Sequence, residues 1–346
     1  MTVRWGLLST ARINRRIFEG ARKSERVDVI AVASRDEGHA LTYAREHGVE
    51  RAYGSYDALL EDADVDAVYI PLPNSLHMEW TMRALAAGKH VLCEKPLSRR
   101  AHEVEQAFDL ADREGLVLSE GFMWRHNPQA STLAQLVAEG VVGRLRMIRA
   151  AFSFQLATAH GADDARFRPE LDGGSLMDVG CYCLNAIRLV AGEPERVYAE
   201  QVVGVSGVDV CFAATLRFRG DVVAHFDCGF VVPFRDELEV VGERASLFVD
   251  DPWHVNSPGI ELRRETEAGT IEVERISVEP ASSYQLELEN VSDAIRGKAP
   301  LLLGRDDALG QARTIEGLYR SAEAGVPVEI EQSASSPIPA SDWSDS

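Results

Sequence analysis

The chain has 346 residues, enough for two domains of ordinary size rather than one compact core. Hydrophobic residues make up 45% and charged residues 26%, which excludes a disordered, collagen-like or coiled-coil chain. With 36 Lys and Arg against 55 Asp and Glu, the net charge is −19, so neither nucleic acid nor an anionic membrane surface is an expected partner.

In the first 120 residues, short apolar runs alternate with amphipathic stretches, the pattern of a parallel sheet covered by helices on both faces. Strands are predicted at 3–8, 27–33, 67–70, 90–93 and 116–119, and helices at 11–21, 37–47, 75–87 and 99–114, the last ending at Gly115. The pattern changes between Phe122 and Gln129. A helix at 129–139 is followed by strands at 145–154, 197–205, 210–218, 222–231, 237–241, 245–249, 260–264 and 270–276, with one helix at 175–191 among them. Helices at 284–296 and 305–324 follow, then a Ser/Pro-rich tail expected to be poorly ordered. The fold class is therefore α/β: a doubly wound parallel sheet of Rossmann type over 1–124, an α+β domain with a large, open, mostly antiparallel sheet over 125–331, and the tail 332–346. No apolar run reaches the ~18 residues of a membrane span, and the opening Met1-Thr2-Val3-Arg4-Trp5 lacks a signal-peptide pattern, so a cytoplasmic protein is expected.

Five cysteines, Cys93, Cys181, Cys183, Cys211 and Cys228, are an odd number at scattered positions. The nine histidines are dispersed without ligand spacing, so neither a metal site nor a disulfide framework is expected.

A parallel sheet binds ligands beyond the carboxyl ends of its strands, and a dinucleotide pyrophosphate sits on the N-terminus of the first helix. The first turn reads Gly6-Leu7-Leu8-Ser9-Thr10-Ala11-Arg12-Ile13-Asn14, so the expected Gly-x-Gly-x-x-Gly falls on Ser9, Ala11 and Asn14. All three glycines are replaced, and by itself the turn suits a dinucleotide and an ordinary tight turn equally. Small residues still let the backbone approach phosphate, and the Ser9 and Thr10 hydroxyls add donors. The second strand ends in Ala33-Ser34-Arg35-Asp36, where NAD-specific folds place an acid for the ribose hydroxyls. Arg35 suits a 2′-phosphate instead, which favours NADP over NAD; paired with Asp36, it would be a plain surface arginine.

Two further segments could carry chemistry. Cys93-Glu94-Lys95-Pro96-Leu97-Ser98 places a lysine at a strand's carboxyl end, where it could polarise a carbonyl; standing alone it would read as a surface Glu-Lys pair. The predicted helix at 175–191 follows Gly173-Gly174 and carries Asp178 and Tyr182, four apart and on one face, with Asn185 one turn on. Each of these singly suits a helix cap or a core residue, but together they line a polar stripe in an apolar helix.

Taken together, the segments Ser9-Thr10-Ala11-Arg12-Ile13, Pro71-Leu72-Pro73-Asn74-Ser75-Leu76-His77, Glu94-Lys95-Pro96, Glu120-Gly121-Phe122-Met123-Trp124-Arg125 and Met177-Asp178-Val179-Gly180-Cys181-Tyr182 resemble the Gfo/Idh/MocA oxidoreductases in order and spacing. Within that family the chain is similar to the branch holding glucose-fructose oxidoreductase, dimeric dihydrodiol dehydrogenase and D-xylose 1-dehydrogenase. The resemblance implies that Lys95 is the active-site lysine, with a cis bond to Pro96, that Tyr182 transfers the proton where many relatives have histidine, and that Asp178 is the accompanying carboxylate. It further implies that Ser9 to Ile13, Pro71, Leu72, Asn74, His77, Glu94, Lys95 and Arg125 surround the cofactor, where the strand-end reading already places Ser34 and Arg35. Arg12, Arg35 and Lys95 would offset the global negative charge at a phosphorylated dinucleotide.

Tyrosine titrates near about 10, too high for a base at neutral pH, so a neighbouring ammonium, Lys95, is needed to lower it. The expected activity is NADP-dependent hydride transfer at a pyranose carbinol, as in D-xylose 1-dehydrogenase. The alternatives are reduction of a keto-sugar, such as a nucleotide-linked 3-ketohexose, oxidation of a trans-dihydrodiol, or a dinucleotide-binding regulator without catalysis. The expected partner is a small sugar or diol, and the resemblance implies a homodimer or homotetramer built through the C-terminal sheet.

Overall fold

The apolar runs of the first 120 residues become the strands of one sheet. In the computed structural model, which describes residues 2–256 and 258–331, the elements are β1 (Val3–Leu8), α1 (Asn14–Ala21), β2 (Val27–Ala33), α2 (Glu37–His47), β3 (Arg51–Tyr53), α3 (Tyr56–Leu60), β4 (Ala67–Ile70), α4 (His77–Ala86), β5 (His90–Glu94), α5 (Ala101–Glu114) and β6 (Leu118–Gly121). The sheet is parallel throughout and ordered β3-β2-β1-β4-β5-β6, so the winding reverses between β1 and β4. Strands β1, β2 and β4 and helix α2 have the bounds that the pattern predicts. Helix α1 begins three residues later than predicted, because 11–13 form the turn that leads into it. Strand β3 and helix α3, with Ser55 accepting the Ala58 N–H as its cap, are too short for periodicity to reveal.

The remaining elements are α6 (Pro128–Ala138), β7 (Leu145–Ser153), α7 (Leu156–His160), α8 (Cys181–Ala191), β8 (Arg196–Val203), β9 (Asp209–Arg217), β10 (Val223–Gly229), β11 (Arg235–Gly242), β12 (Ser246–Val249), β13 (Gly259–Glu265), β14 (Ile271–Ser277), α9 (Ser283–Ile295), α10 (Arg305–Ala324) and β15 (Val328–Glu329). Nine strands form a sheet ordered β14-β13-β12-β11-β7-β10-β9-β8-β15, antiparallel except where β7 and β10 run parallel. Alternation decides its two faces: Phe212, Ala214 and Leu216 of β9 are buried, while Ala213 and Thr215 between them are exposed. The stretch 332–346 lies outside the described residues, among which no helix is long and apolar enough to cross a membrane.

The chain divides into two compact units. One runs to His126 and takes back Ser282–Leu309; the other comprises Asn127–Ala281 and the chain from Gly310 on. This corrects the division that assigns all of 125–331 to the second domain. The physical reason lies in α9, whose Leu288 and Val291 enter the core formed by Trp5, Leu7, Ile17, Phe18 and Tyr69. The Trp5 indole N–H also donates to Ser292 Oγ at 3.2 Å, and a side chain at Gly20 would meet the backbone of Gln285 at 2.9 Å.

Glu287 of α9 is fully buried, and neither of its carboxyl oxygens accepts a hydrogen bond. Burial, reinforced by Glu94, pushes its carboxyl well above the ordinary value of 4.5. The unfolded chain ionises this group above that value while the fold holds the proton, so its stabilising contribution is complete at low pH and is lost as pH rises. Glu287→Leu should therefore raise Tm by more at pH 8 than at pH 5, measured by thermal unfolding. Equal gains at the two pH values would show that the carboxyl ionises inside the fold.

Candidate active site

In the first unit, register brings the strand ends level: Leu8 pairs with Ala33, Ile70 with Cys93, and Glu94 with Gly121. The segments that begin at Ser9, Ser34, Pro71 and Lys95 therefore leave the sheet on one edge, astride the β1/β4 reversal. Ser9, at the first fingerprint position, has φ +139°, a conformation that favours glycine. Two bonds hold it there: Asn14 Nδ2 donates to the Ser9 carbonyl at 2.7 Å, and Ser9 Oγ accepts the Ala11 N–H at 3.3 Å. Asn14, at the third fingerprint position, is fully buried, so two of the replaced glycines stabilise one turn between them. The N–H groups of Thr10 and Ile13 donate to no protein acceptor among the described residues, and Arg12 is exposed beside them. This is the donor geometry of an anion site at a helix N-terminus.

At the end of β2, Ser34 is buried and its N–H donates to Tyr53 of β3 at 3.0 Å. Asp36 turns its carboxylate to the His39 N–H at 2.6 Å and caps α2. Arg35 is exposed and forms no ion pair among the described residues, so the surface pair with Asp36 is not made.

The Lys95–Pro96 peptide bond is cis, as the resemblance implies. The backbone around it is clamped from two sides. Glu120 Oε1 accepts the Leu97 N–H at 2.7 Å, and His77 lies 2.8 Å from both the Pro96 carbonyl (Nδ1) and the Leu72 carbonyl (Nε2). His77 is 1% exposed and spends both ring nitrogens on backbone, so it ties the loop after β4, including Pro71, Leu72 and Asn74, to the lysine loop. Glu94 accepts the hydroxyl of Tyr69, whose pKa is driven up by burial and by Glu94 itself. Arg125 is pinned to Asp307 at 3.2 Å and packs over Trp124.

In the second unit, Leu176–Gly180 is wound as π-helix before α8 continues, a widening frequent at functional sites and invisible to residue spacing. Its head is anchored by Asp209 of β9, which is 4% exposed and accepts from Ser175 Oγ at 2.7 Å, the Leu176 N–H at 2.8 Å and the Tyr319 hydroxyl at 2.9 Å. The Gly-Gly pair follows from this crowding: a Cβ at Gly174, with φ +123°, would collide with Asp209, and one at Gly173 with the Arg166 carbonyl. Gly180 lets the helix approach β10, since a side chain there would meet Cys228 Sγ at 2.7 Å.

Asp178 Oδ2 accepts from Arg166 Nη1 at 3.1 Å, and Arg166 also grips Asp164 through Nε at 2.8 Å and Nη2 at 3.1 Å. Tyr182 is 9% exposed in an aromatic cluster, with Phe152 at 5.7 Å and Trp253 at 5.9 Å between ring centroids. Sequence reasoning missed Arg166, Asp209 and the cluster beside Trp253. Arg166 lies on a single 3-10 turn and Asp209 at a strand end, where no periodicity singles them out.

Residues 3–122 match the family described as oxidoreductases with an NAD-binding Rossmann fold, and residues 130–248 match the GFO/IDH/MocA C-terminal domain. The chain belongs to the GFO/IDH/MocA oxidoreductase family. It is 38% identical over 329 residues to D-xylose 1-dehydrogenase (NADP(+)) 2 of Haloferax volcanii, covering 94% of this chain and 99% of that protein. It is 40% identical over 239 residues to a dTDP-3,4-didehydro-2,6-dideoxy-alpha-D-glucose 3-reductase of Streptomyces violaceoruber, covering 68% and 69%. The crystal structure of a 3-ketoreductase from Actinomadura kijaniata, in complex with NADP and TDP-benzene, superposes with a TM-score of 0.86 at 30% identity, covering 93% of this chain and 98% of that one.

The anchoring of this family's motif helix can be tested through Asp209. Asp209→Ala leaves three buried donors without an acceptor, at a cost of about 2–4 kcal/mol. Denaturant unfolding should show that loss, together with a fall in oxidoreductase turnover; an unchanged midpoint would show that the three donors find other partners.

Proposed function

We propose that this protein is an NADP-dependent sugar oxidoreductase that transfers hydride between the nicotinamide and a carbinol carbon of an uncharged pyranose, in the manner of D-xylose 1-dehydrogenase. The observation that carries the reading is the motif segment, in which the π-wound turn carrying Asp178, held by Arg166, leads directly into α8 with Tyr182 in its first turn. The N–H groups of Thr10 and Ile13, which meet no acceptor among the described residues, fit a pyrophosphate, and the exposed Arg35, without an ion pair among the described residues, fits a 2′-phosphate. When bound, the nicotinamide supplies or accepts the hydride.

In this mechanism Tyr182 takes the proton from the substrate hydroxyl during oxidation and returns it during reduction. Lys95 lowers the tyrosine pKa and orients the substrate oxygen, and Asp178 binds a neighbouring hydroxyl. Arg166 is shared between Asp164 and Asp178 and so is neutralised locally, and the likeness over 94% of this chain to a D-xylose 1-dehydrogenase favours a free sugar over a nucleotide-linked one. Reduction of a keto-sugar is the second reading, favoured by the likeness to the Actinomadura ketoreductase.

Tyr182→Phe and Lys95→Met should each lower turnover by about 10²–10⁴-fold while NADPH binding, followed by fluorescence, persists. Arg35→Ala should weaken NADPH and leave NADH unchanged. Near-normal turnover in both active-site variants would sink the mechanism, and activity confined to nucleotide-linked ketoses would favour the second reading. The exposed face of β7, β9, β10 and β11 is where we place self-association, to be checked as a dimer or tetramer by light scattering.

A further inference from the structure

The second unit holds a polar cluster that this mechanism does not use. Asp236 of β11 is 4% exposed, and its Oδ2 lies 2.6 Å from Nδ1 of His254. The loop carrying His254 is fastened by Asp251, whose Oδ1 accepts the N–H groups of His254 at 3.2 Å and Val255 at 3.0 Å, and whose Oδ2 accepts that of Asn256 at 2.5 Å. Val255 is held at φ +53°, where a β-branched side chain is strained, and strain of this kind persists only where the surroundings over-determine the backbone. The result is an imidazole fixed along one edge by a buried carboxylate while its side chain remains 45% exposed.

Ring packing connects this imidazole to the proposed proton-transfer residue. His254 stands edge-on to Phe152 at 5.5 Å, and Phe152 stands edge-on to Tyr182 at 5.7 Å. The adjacent Trp253, itself buried, touches both Phe152 and Tyr182. On the open side, the Phe234 ring is 64% exposed and lies 6.2 Å from His254.

We propose that His254, oriented by Asp236, binds a substrate hydroxyl remote from the reacting carbon, with Phe234 as an apolar wall against a C–H face of the sugar ring. The proposal rests on the reading of Tyr182 as the proton-transfer residue. A sugar ring presents polar O–H edges and apolar C–H faces side by side, and an oriented imidazole next to an exposed aromatic ring matches both. Binding energy gained at such a remote contact positions the reacting carbon without touching it. A divalent cation is the competing occupant, because donor atoms of Asp236, Asp251 and His254 lie within 4.8 Å of one another. The commitment of Asp251 to three N–H groups, and of the His254 Nδ1 edge to Asp236, favours hydrogen bonding over ligation.

The test compares the full-length protein with His254→Ala, His254→Gln, Asp236→Ala and Asp236→Asn. Steady-state kinetics use D-xylose and the shorter D-glyceraldehyde, and equilibrium binding of D-xylose is followed by tryptophan fluorescence. His254→Ala should raise KM for D-xylose by about tenfold with kcat within about twofold, and leave D-glyceraldehyde kinetics and NADPH affinity unchanged. His254→Gln, which keeps an amide donor for Asp236 and so guards against misfolding, should recover part of the loss. Asp236 acts through His254, so Asp236→Asn should retain a lower KM than Asp236→Ala at equal thermal midpoints. An unchanged KM for D-xylose, an equal loss on both substrates, or a rise in Tm with zinc or manganese that His254→Ala abolishes would overturn the proposal. If the parent turns over no sugar, the functional reading fails by itself; D-xylose binding that depends on His254 would still uphold the subsite, and binding that is absent or indifferent to His254 would overturn it.

Discussion

In a parallel sheet every strand runs out on the same edge, and the register fixes how far each one reaches. Here β1, β2, β4 and β5 stop level with one another, and the residues that follow them supply the N–H groups of Thr10 and Ile13, the exposed Arg35 and the Lys95 loop. The packing of the apolar strands thus decides which polar loops become neighbours. The loops are then fixed individually, the first by Asn14 on the Ser9 carbonyl and the lysine loop by His77 and Glu120. A buried polar group that bonds to backbone gives loops a stiffness that their length alone would deny them.

The second unit solves the same problem with a helix. A π-turn at its head changes the phase of the side chains, and Asp209 absorbs the donors that the turn exposes. The carboxylates nearby are held within the unit, Asp178 by the Arg166 guanidinium and Asp236 by its hydrogen bond with the His254 ring. A protein with a net charge of −19 therefore keeps its cations where they neutralise particular acids, and leaves Arg35 exposed at the end of β2. Local pairing, more than the global field, sets the electrostatics of each half.

Most of the architecture could be read from residue pattern because it rests on burial. The runs at 3–8, 27–33 and 67–70 are apolar but for Arg4 and Asp28 near their starts, so central strands were legible there to the residue, and the Ser9 to Asn14 turn was recognisable although every fingerprint glycine had been replaced. What the pattern withheld depends on contacts distant in sequence. The amphipathic stretch 284–296 announces an apolar face but not the sheet it covers, and the positive φ of Ser9 follows from Asn14, five residues away. Arg166 and His254 lie on loops whose composition resembles any other polar loop. Their roles emerge only once Asp178 and Phe152 stand beside them.

The return of α9 to the first unit bears on how the protein is made. A ribosome delivers β1 to β6 first, yet Trp5 and Tyr69 wait for Leu288 and Val291, which emerge only after the strands of the large sheet up to β14 have been synthesised. During that interval the nascent sheet carries an uncovered apolar surface, the kind that chaperones bind and that aggregates when left alone. The nucleotide-binding half is complete only once the chain through α9 has been made, so its solubility in the cell is tied to the speed with which the strands up to β14 are synthesised.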